Sequence, residues 1–250
     1  MVTKRVVLIP DGMADVPIEK LGGVTPLEYA KTPVMDALAS RGIVGLTHNV
    51  PDGMEPGSDA AIMSIMGYDP KTCYTGRGPI EAISMGVEIA PGELGFRCNL
   101  INTDGDTLID YSAGHISTEE GAELIAALQK ELGADDVRFS KGVSFRHVLV
   151  LKTDHPTPKT YPPHDHMDEK WEQYLPAVSP CAERLSELIL ASRDVLKDHP
   201  VNKARIAAGK KPATMIWPWS GGTTPKMESF EKMFGMTGAA ISAVDLVQGL

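Results

Sequence analysis

The sequence predicts an α/β fold, a mostly parallel sheet layer interrupted by an inserted α+β domain, and three observations lead to it. Val6–Pro10 is an unbroken apolar, β-branched run that leads straight into Asp11-Gly12, the pattern of a strand buried on both faces of a parallel sheet. Up to Met85 the order is strand, helix, strand, helix, as in an α/β layer. After Met85 the patterning changes to a hairpin, a helix and two further strands, which suggests a separate small domain. The expected division is a core of residues 1–90 and 210–250 with an inserted α+β domain over 91–209.

Each element has its own local warrant. Thr32-Pro33 supplies an N-cap and a proline at the first helical position, so a helix carrying Val34, Met35 and Leu38 follows and ends at Gly42. Ile43–Thr47 reads as a second strand. Pro56-Gly57-Ser58 is a tight turn into a helix whose apolar face holds Ile62, Ile65 and Met66, stopping at Gly67. Gly95–Ile101 and Thr107–Tyr111 flank Asp104-Gly105, a hairpin signal. Ser117 and Glu120 have capping-box spacing ahead of Ile125, Leu128 and Leu132, with Gly133 as the stop. Val137–Phe139 and Arg146–Leu151 read as strands, and the segment from Met167 to Tyr174 as a short helix in a loop-rich stretch. Residues 181–196 form an amphipathic helix, Thr214–Pro218 a buried strand, and residues 230–234 and 239–250 helices.

The charge balance restricts the function. The chain has 250 residues, with 33 acidic against 24 basic and a net charge of −9, which argues against general nucleic-acid binding because that calls for a basic face. Anion recognition is then expected only where arginines gather locally. No run approaches a membrane span, and residues 1–10 lack the long apolar region and cleavage site of a signal peptide. Cys73, Cys98 and Cys181 are odd in number without CxxC spacing, so no disulfide framework is expected and a cytoplasmic location is implied.

Four features could carry chemistry. Asp11 follows the first strand, where ligands gather in open α/β sheets, although Asp-Gly is also ordinary turn chemistry. Ser58 sits at a helix N-terminus, whose unpaired N–H groups favour an alkoxide or a phosphate ester; the plainer reading is a simple cap. Arg77 lies between Gly76 and Gly78, glycines that let backbone approach a ligand closely beside a residue suited to phosphate or carboxylate. Arg97 and Arg146 place two more arginines on strands of the inserted domain. His155, His164 and His166 stand near Asp154 and Asp165. They could bind a transition metal, but a proline-rich surface loop explains them without one.

Taken in order, DGMAD, PGSDAAIMSIMGYDP, YTGRGPIEA, FRCN, the Arg146-His147 pair, PPHD and HPVN resemble the archaeal-type branch of the cofactor-independent phosphoglycerate mutases. The likeness runs from residue 5 to 250. It implies an alkaline-phosphatase-like core with a mostly parallel sheet and an inserted cap domain. It also implies interconversion of 3- and 2-phosphoglycerate through a phosphoserine at Ser58, without bisphosphoglycerate. Two divalent ions, manganese, zinc or magnesium, would assist, with Asp11 and Ser58 among their ligands. Arg77, Arg97 and Arg146 match positions that hold the substrate's phosphate and carboxylate, and Asn99, His147 and Asp165 fall in family motifs as further substrate-binding candidates. The partner implied is a small phosphorylated acid, with neither nucleic acid nor membrane; self-association is left open.

The resemblance has one large departure. Members of the family are longer, and most of their metal ligands lie in a C-terminal segment with Asp-x-x-x-His and Asp-His motifs, whereas this chain stops at Leu250. Asp154-His155 looks like the late Asp-His motif but falls where the cap is expected, and is read as coincidence. The 250-residue chain alone is therefore expected to be inactive. The alternatives are a related phosphomutase, a phosphatase or a homoserine-kinase-like phosphotransferase acting on another small phosphorylated acid, and a short non-catalytic binding protein.

Overall fold

Strand propensity becomes a strand only where a neighbour completes the hydrogen bonds, and this decides the first stretch of the chain. The computed structural model describes residues 4–242 and 245–250, in two compact units, Met1–Ile62 and Met63–Leu250. In the first unit Val6–Pro10 and Ile43–Thr47 form no strand. Val6 is 88% exposed and Ile43 and Leu46 fully so. The mostly parallel sheet expected from these two runs is therefore absent among the described residues. β-branched composition expresses a fit to a half-buried pleated surface, and no such surface is offered to them here. This unit holds the helices α1 (Pro26–Tyr29) and α2 (Pro33–Arg41) and the start of α3 (Ser58–Ile65). α1 escaped the sequence reading, although Thr25 and Glu28 close a reciprocal capping box on it.

The second unit opens with α4 (Pro70–Cys73) and α5 (Arg77–Ser84) and is organised by one antiparallel sheet. Its strands are β1 (Glu93–Asp104), β2 (Thr107–Asp110), β3 (Val137–Ser140), β4 (Arg146–Lys152) and β5 (Met215–Gly222). β1 is central: β4 lies along one edge, β5 along the other, and β2 returns from the turn at Gly105. The helices are α6 (Thr118–Leu132), α7 (Cys181–Lys197), α8 (Pro200–Ala207), α9 (Phe230–Phe234) and α10 (Asp245–Gln248). The Ser117–Glu120 capping box forms as its spacing predicts. Of the helix expected over residues 239–250 only α10 is present, and residues 243 and 244 lie outside the described residues.

Alternation along the strands sorts the two faces of the sheet. Leu149 and Leu151 join Phe96, Leu100, Leu124, Leu128 and Leu185 in the main core beneath α6 and α7. Val148 and Val150 point the other way and pack with Ala82 of α5 and Ile89. α5 can lie on the sheet because Gly78 has no side chain. A Cβ there would sit 2.6 Å from the Arg97 nitrogen and 2.8 Å from the Gly95 oxygen.

β5 corrects an expectation. The strand expected at Thr214–Pro218, grouped with residues 210–250 in the parallel layer, instead pairs antiparallel with β1, Asn99 opposite Trp217 and Arg97 opposite Trp219. An apolar run buried on both faces looks the same in either kind of sheet, so its pattern could not name its neighbour. The outer edge of β5 is sealed against further strands. The Ile216 N–H donates to Ser192 Oγ (3.1 Å), the Ser220 N–H donates to Thr160 Oγ1 (2.9 Å), and Pro218 between them has no N–H. Ser192→Ala leaves a buried amide without an acceptor and is expected to cost about 1–3 kcal/mol in urea denaturation. A loss within error of zero would show that the seal adds no stability.

Candidate functional site

In the first unit, Ser58 is the first residue of α3, and the carbonyl of Gly57 accepts the first helical bond, from Ala61. Asp11 follows the extended run that ends at Pro10. The Ser58 hydroxyl donates to Asp11 Oδ2 at 3.1 Å across 47 residues of sequence. The structure thus joins the two residues singled out for phosphoryl and metal chemistry. They offer two hard oxygen donors of the kind magnesium, manganese or zinc accepts. Among the described residues no group of three or more His, Cys, Asp or Glu side chains is placed to hold an ion. The histidine-rich stretch makes no metal cluster either.

In the second unit, the face of the sheet beside α5 gathers a cationic cluster. Alternation along β1 puts Arg97 and Asn99 on this face, and the antiparallel register sets Trp219 beside Arg97 and Arg146 beside Asn99. Arg97 is 7% exposed. Its Nη1 donates to Glu81 Oε1 (2.8 Å) and its Nε to Asn99 Oδ1 (3.1 Å). Arg77, at the start of α5, donates its Nε to the same Glu81 oxygen at 2.6 Å. The guanidiniums of Arg97 and Arg77 lie 5.0 and 5.9 Å from the Trp219 ring centre, and that of Arg146 lies 5.4 Å from the Phe145 ring. Burial pushes the Arg97 guanidinium down to about 10; Glu81 opposes the shift, and Arg77 and Arg146 add to it. Arg97 remains a cation at neutral pH. Two guanidiniums share the Glu81 carboxylate and Arg146 lies on the same face, a concentration of positive charge that suits an anion.

The glycines around Arg77 serve the scaffold. A Cβ at Gly76 would lie 2.4 Å from the Gly221 oxygen. With Gly78 against β1, both glycines that looked suited to a ligand instead accommodate the backbone of the sheet. The Arg77 N–H donates to Ser220 Oγ at 3.0 Å, which ties the loop to the bulged end of β5.

The other expected site residues separate. Asn99 is fully buried; its Nδ2 donates to the Tyr111 carbonyl and its Oδ1 accepts from both Arg97 and Trp219 Nε1. It therefore braces the cluster. His164 packs edge-on to Trp219 with ring centres 5.5 Å apart, and its pKa is lowered, chiefly by burial and then by Arg97 and Arg77 against an opposing Asp165. Asp165 is exposed, 3.7 Å from His164 Nε2.

His147 is not with them. It points to the opposite face from Arg146, where Nδ1 accepts the Gly142 N–H (3.0 Å) and the ring fits beneath Gly121 of α6. Nε2, which then carries the proton, is buried without a partner. Desolvation lowers its pKa to about 3, with Arg146 acting in the same direction and a Ser144 backbone contact opposing. Between that value and ~6.5 the unfolded chain takes up a proton and the folded chain does not, so stability falls as pH drops below ~6.5. The expected loss by pH 5 is about 2 kcal/mol. Urea midpoints at pH 7 and 5 should show this slope, and His147→Gln should remove it; equal slopes would refute the assignment.

Sequence reasoning missed Glu81 and Trp219. Glu81 had a signal, four residues after Arg77 on one helix face. Trp219 had none, because its role depends on pairing across to β1.

Comparison with known proteins agrees on one family. Residues 39–202 match the family model of 2,3-bisphosphoglycerate-independent phosphoglycerate mutase. A Methanosarcina mazei protein of that name is 51% identical across 99% of this chain and 62% of its own length. A Geobacter sulfurreducens relative is 50% identical across 99% of this chain and 63% of its own. Among solved structures, a Pyrococcus horikoshii protein superposes with a TM-score of 0.71 at 32% identity, over 96% of this chain and 56% of its own. A Thermoplasma acidophilum cofactor-independent phosphoglycerate mutase does so with 0.55 at 31% identity, over 95% and 64%. The chain thus spans about 62% of the length of the curated relatives it matches.

Proposed function

Since the chain belongs to the 2,3-bisphosphoglycerate-independent phosphoglycerate mutase family, we propose that it contributes to the interconversion of 3- and 2-phosphoglycerate, with Ser58 as the phosphoryl acceptor. The observation that carries the reading is the hydrogen bond from Ser58 Oγ to Asp11 Oδ2, 3.1 Å long, at the first residue of a helix. Asp11 accepts the hydroxyl proton's hydrogen bond and orients the oxygen outward from the helix end. The N–H groups of that helix end favour the negative charge of a phosphate ester. Arg77, Arg97 and Arg146 bind the anionic groups of the substrate. Asn99 holds Arg97 and Trp219 in place, and Asp165 lies beside His164.

Asp11 and Ser58 would hold one divalent ion together with further ligands, and such an ion, when bound, would lower the pKa of an oxygen nucleophile and offset phosphoryl charge. The division into an alkaline-phosphatase-like core and a cap is likewise proposed, with the far border of the cap drawn after Gly222 because β5 is part of its sheet. No helix among the described residues is long and apolar enough to cross a membrane; a cytosolic setting is proposed from the free cysteines. The test is chemical. A chain that also carries the segment its relatives have beyond the matched stretch is incubated with 3-phosphoglycerate and manganese, quenched in acid and digested, and phosphate is sought on the Ser58 peptide by mass spectrometry. Phosphate on another residue, or on none during turnover, would overturn the assignment.

A further inference from the structure

Glu81 is an odd residue to find in a cluster built for anions. The residue is 1% exposed, and one carboxylate oxygen, Oε1, receives both Arg77 Nε and Arg97 Nη1. The other, Oε2, is buried with no hydrogen bond at all. An ion pair selected for stability would use both oxygens, as a bidentate arginine pair does, and an idle buried lone pair calls for a functional reason. The directions of the bonds supply one. Arg77 is held by Nε, and Arg97 by Nε and Nη1. Both Nη groups of Arg77 and Nη2 of Arg97 make no hydrogen bond among the described residues. The two guanidiniums share one oxygen at the back and are flanked by the Trp219 ring, whose Nε1 is pinned by Asn99.

We propose that Glu81, with Asn99 and Trp219, is a positioning residue that aims the unused N–H groups of Arg77 and Arg97 at one oxyanion of the substrate. This rests on the arginine roles proposed above and adds a sign that charge alone would reverse. By Coulomb's law a carboxylate this close to a bound anion repels it, so its removal should strengthen anion binding. If Glu81 orients the clamp, replacing its charged oxygen by the weaker neutral acceptor of glutamine loosens both guanidiniums and weakens binding, because small misplacements of a bidentate clamp are costly.

The experiment titrates inorganic phosphate into the 250-residue chain by calorimetry, comparing wild type with Glu81→Gln, Trp219→Phe, Arg77→Met and Arg97→Met. The expected result is roughly tenfold or greater weakening in Glu81→Gln, with a smaller loss in Trp219→Phe, which keeps an aromatic ring and loses the bond to Asn99. Unchanged or tighter binding in Glu81→Gln, with both arginine variants impaired, overturns the positioning role and leaves the arginine clamp standing. No uptake by wild type, or full binding in both arginine variants, overturns the clamp and this inference with it. If Glu81→Gln does not fold, Trp219→Phe decides, and unchanged phosphate binding there counts against the proposal.

Discussion

Ser58→Ala is expected to lower mutase turnover by about a thousandfold or more, the scale on which loss of a nucleophile acts. The assay follows 2-phosphoglycerate formation with manganese, in a chain that also carries the segment its relatives have beyond the matched stretch. The reason is local. Ser58 alone combines a hydroxyl, the first position of α3 and a carboxylate partner in Asp11. Alanine keeps the helix and removes the oxygen that would form the ester bond. Asp11→Asn keeps a hydrogen-bond acceptor and loses the charge, so a smaller reduction is expected. Turnover that survives Ser58→Ala would end the phosphoserine reading. The 250-residue chain alone is expected to show none. Turnover there, lost on chelation, would make Asp154, His155, His164 and His166 the next residues to replace.

Arg205→Ala is expected to cost about 3–5 kcal/mol of folding stability, read as a shift in the urea midpoint. Arg205 is 2% exposed and joins three segments of the second unit. Its Nε donates to the Lys211 carbonyl (2.9 Å), its Nη2 to the Ala113 carbonyl (2.7 Å), and its Nη1 to Glu120 Oε2 (2.6 Å). Glu120 also accepts the Ser117 N–H in the capping box of α6, so one carboxylate serves both a helix start and a buried cation. Burial tends to raise the Glu120 pKa, but the Ser117 amide and Arg205 together hold it below the usual carboxylate range. Removing the arginine leaves the Lys211, Ala113 and Gly114 carbonyls without this donor and Glu120 without its cation. A loss under ~1 kcal/mol would mean that water replaces the guanidinium.

Much of the second unit was legible because its signals are local. Ser117 and Glu120 formed their capping box, Asp104-Gly105 made its turn, and the helices over Cys181–Lys197 and Phe230–Phe234 lie where periodicity predicts. The pairing of Asp11 with Ser58 was expected from motif likeness, and no feature of either residue alone demanded it. Local rules failed where a partner strand decides the outcome. Val6–Pro10 and Ile43–Thr47 have strand composition and remain unpaired, while Thr214–Pro218 found its partner in β1.

Local signals in the sequence mark where several of the helices start or stop and which turn takes glycine, and they made Arg77, Arg97 and Arg146 the expected anion-binding candidates. Those follow from backbone capping, chirality and charge within a few residues of one another. Strand pairing turns Arg146 toward the cluster and His147 away from it, beneath Gly121. The tertiary structure alone set Trp219 beside Arg97 and put one oxygen of Glu81 behind both Arg77 and Arg97. The face a strand residue occupies, and what lies across from it, is fixed by register between segments far apart in the chain, and a linear pattern carries no record of that register.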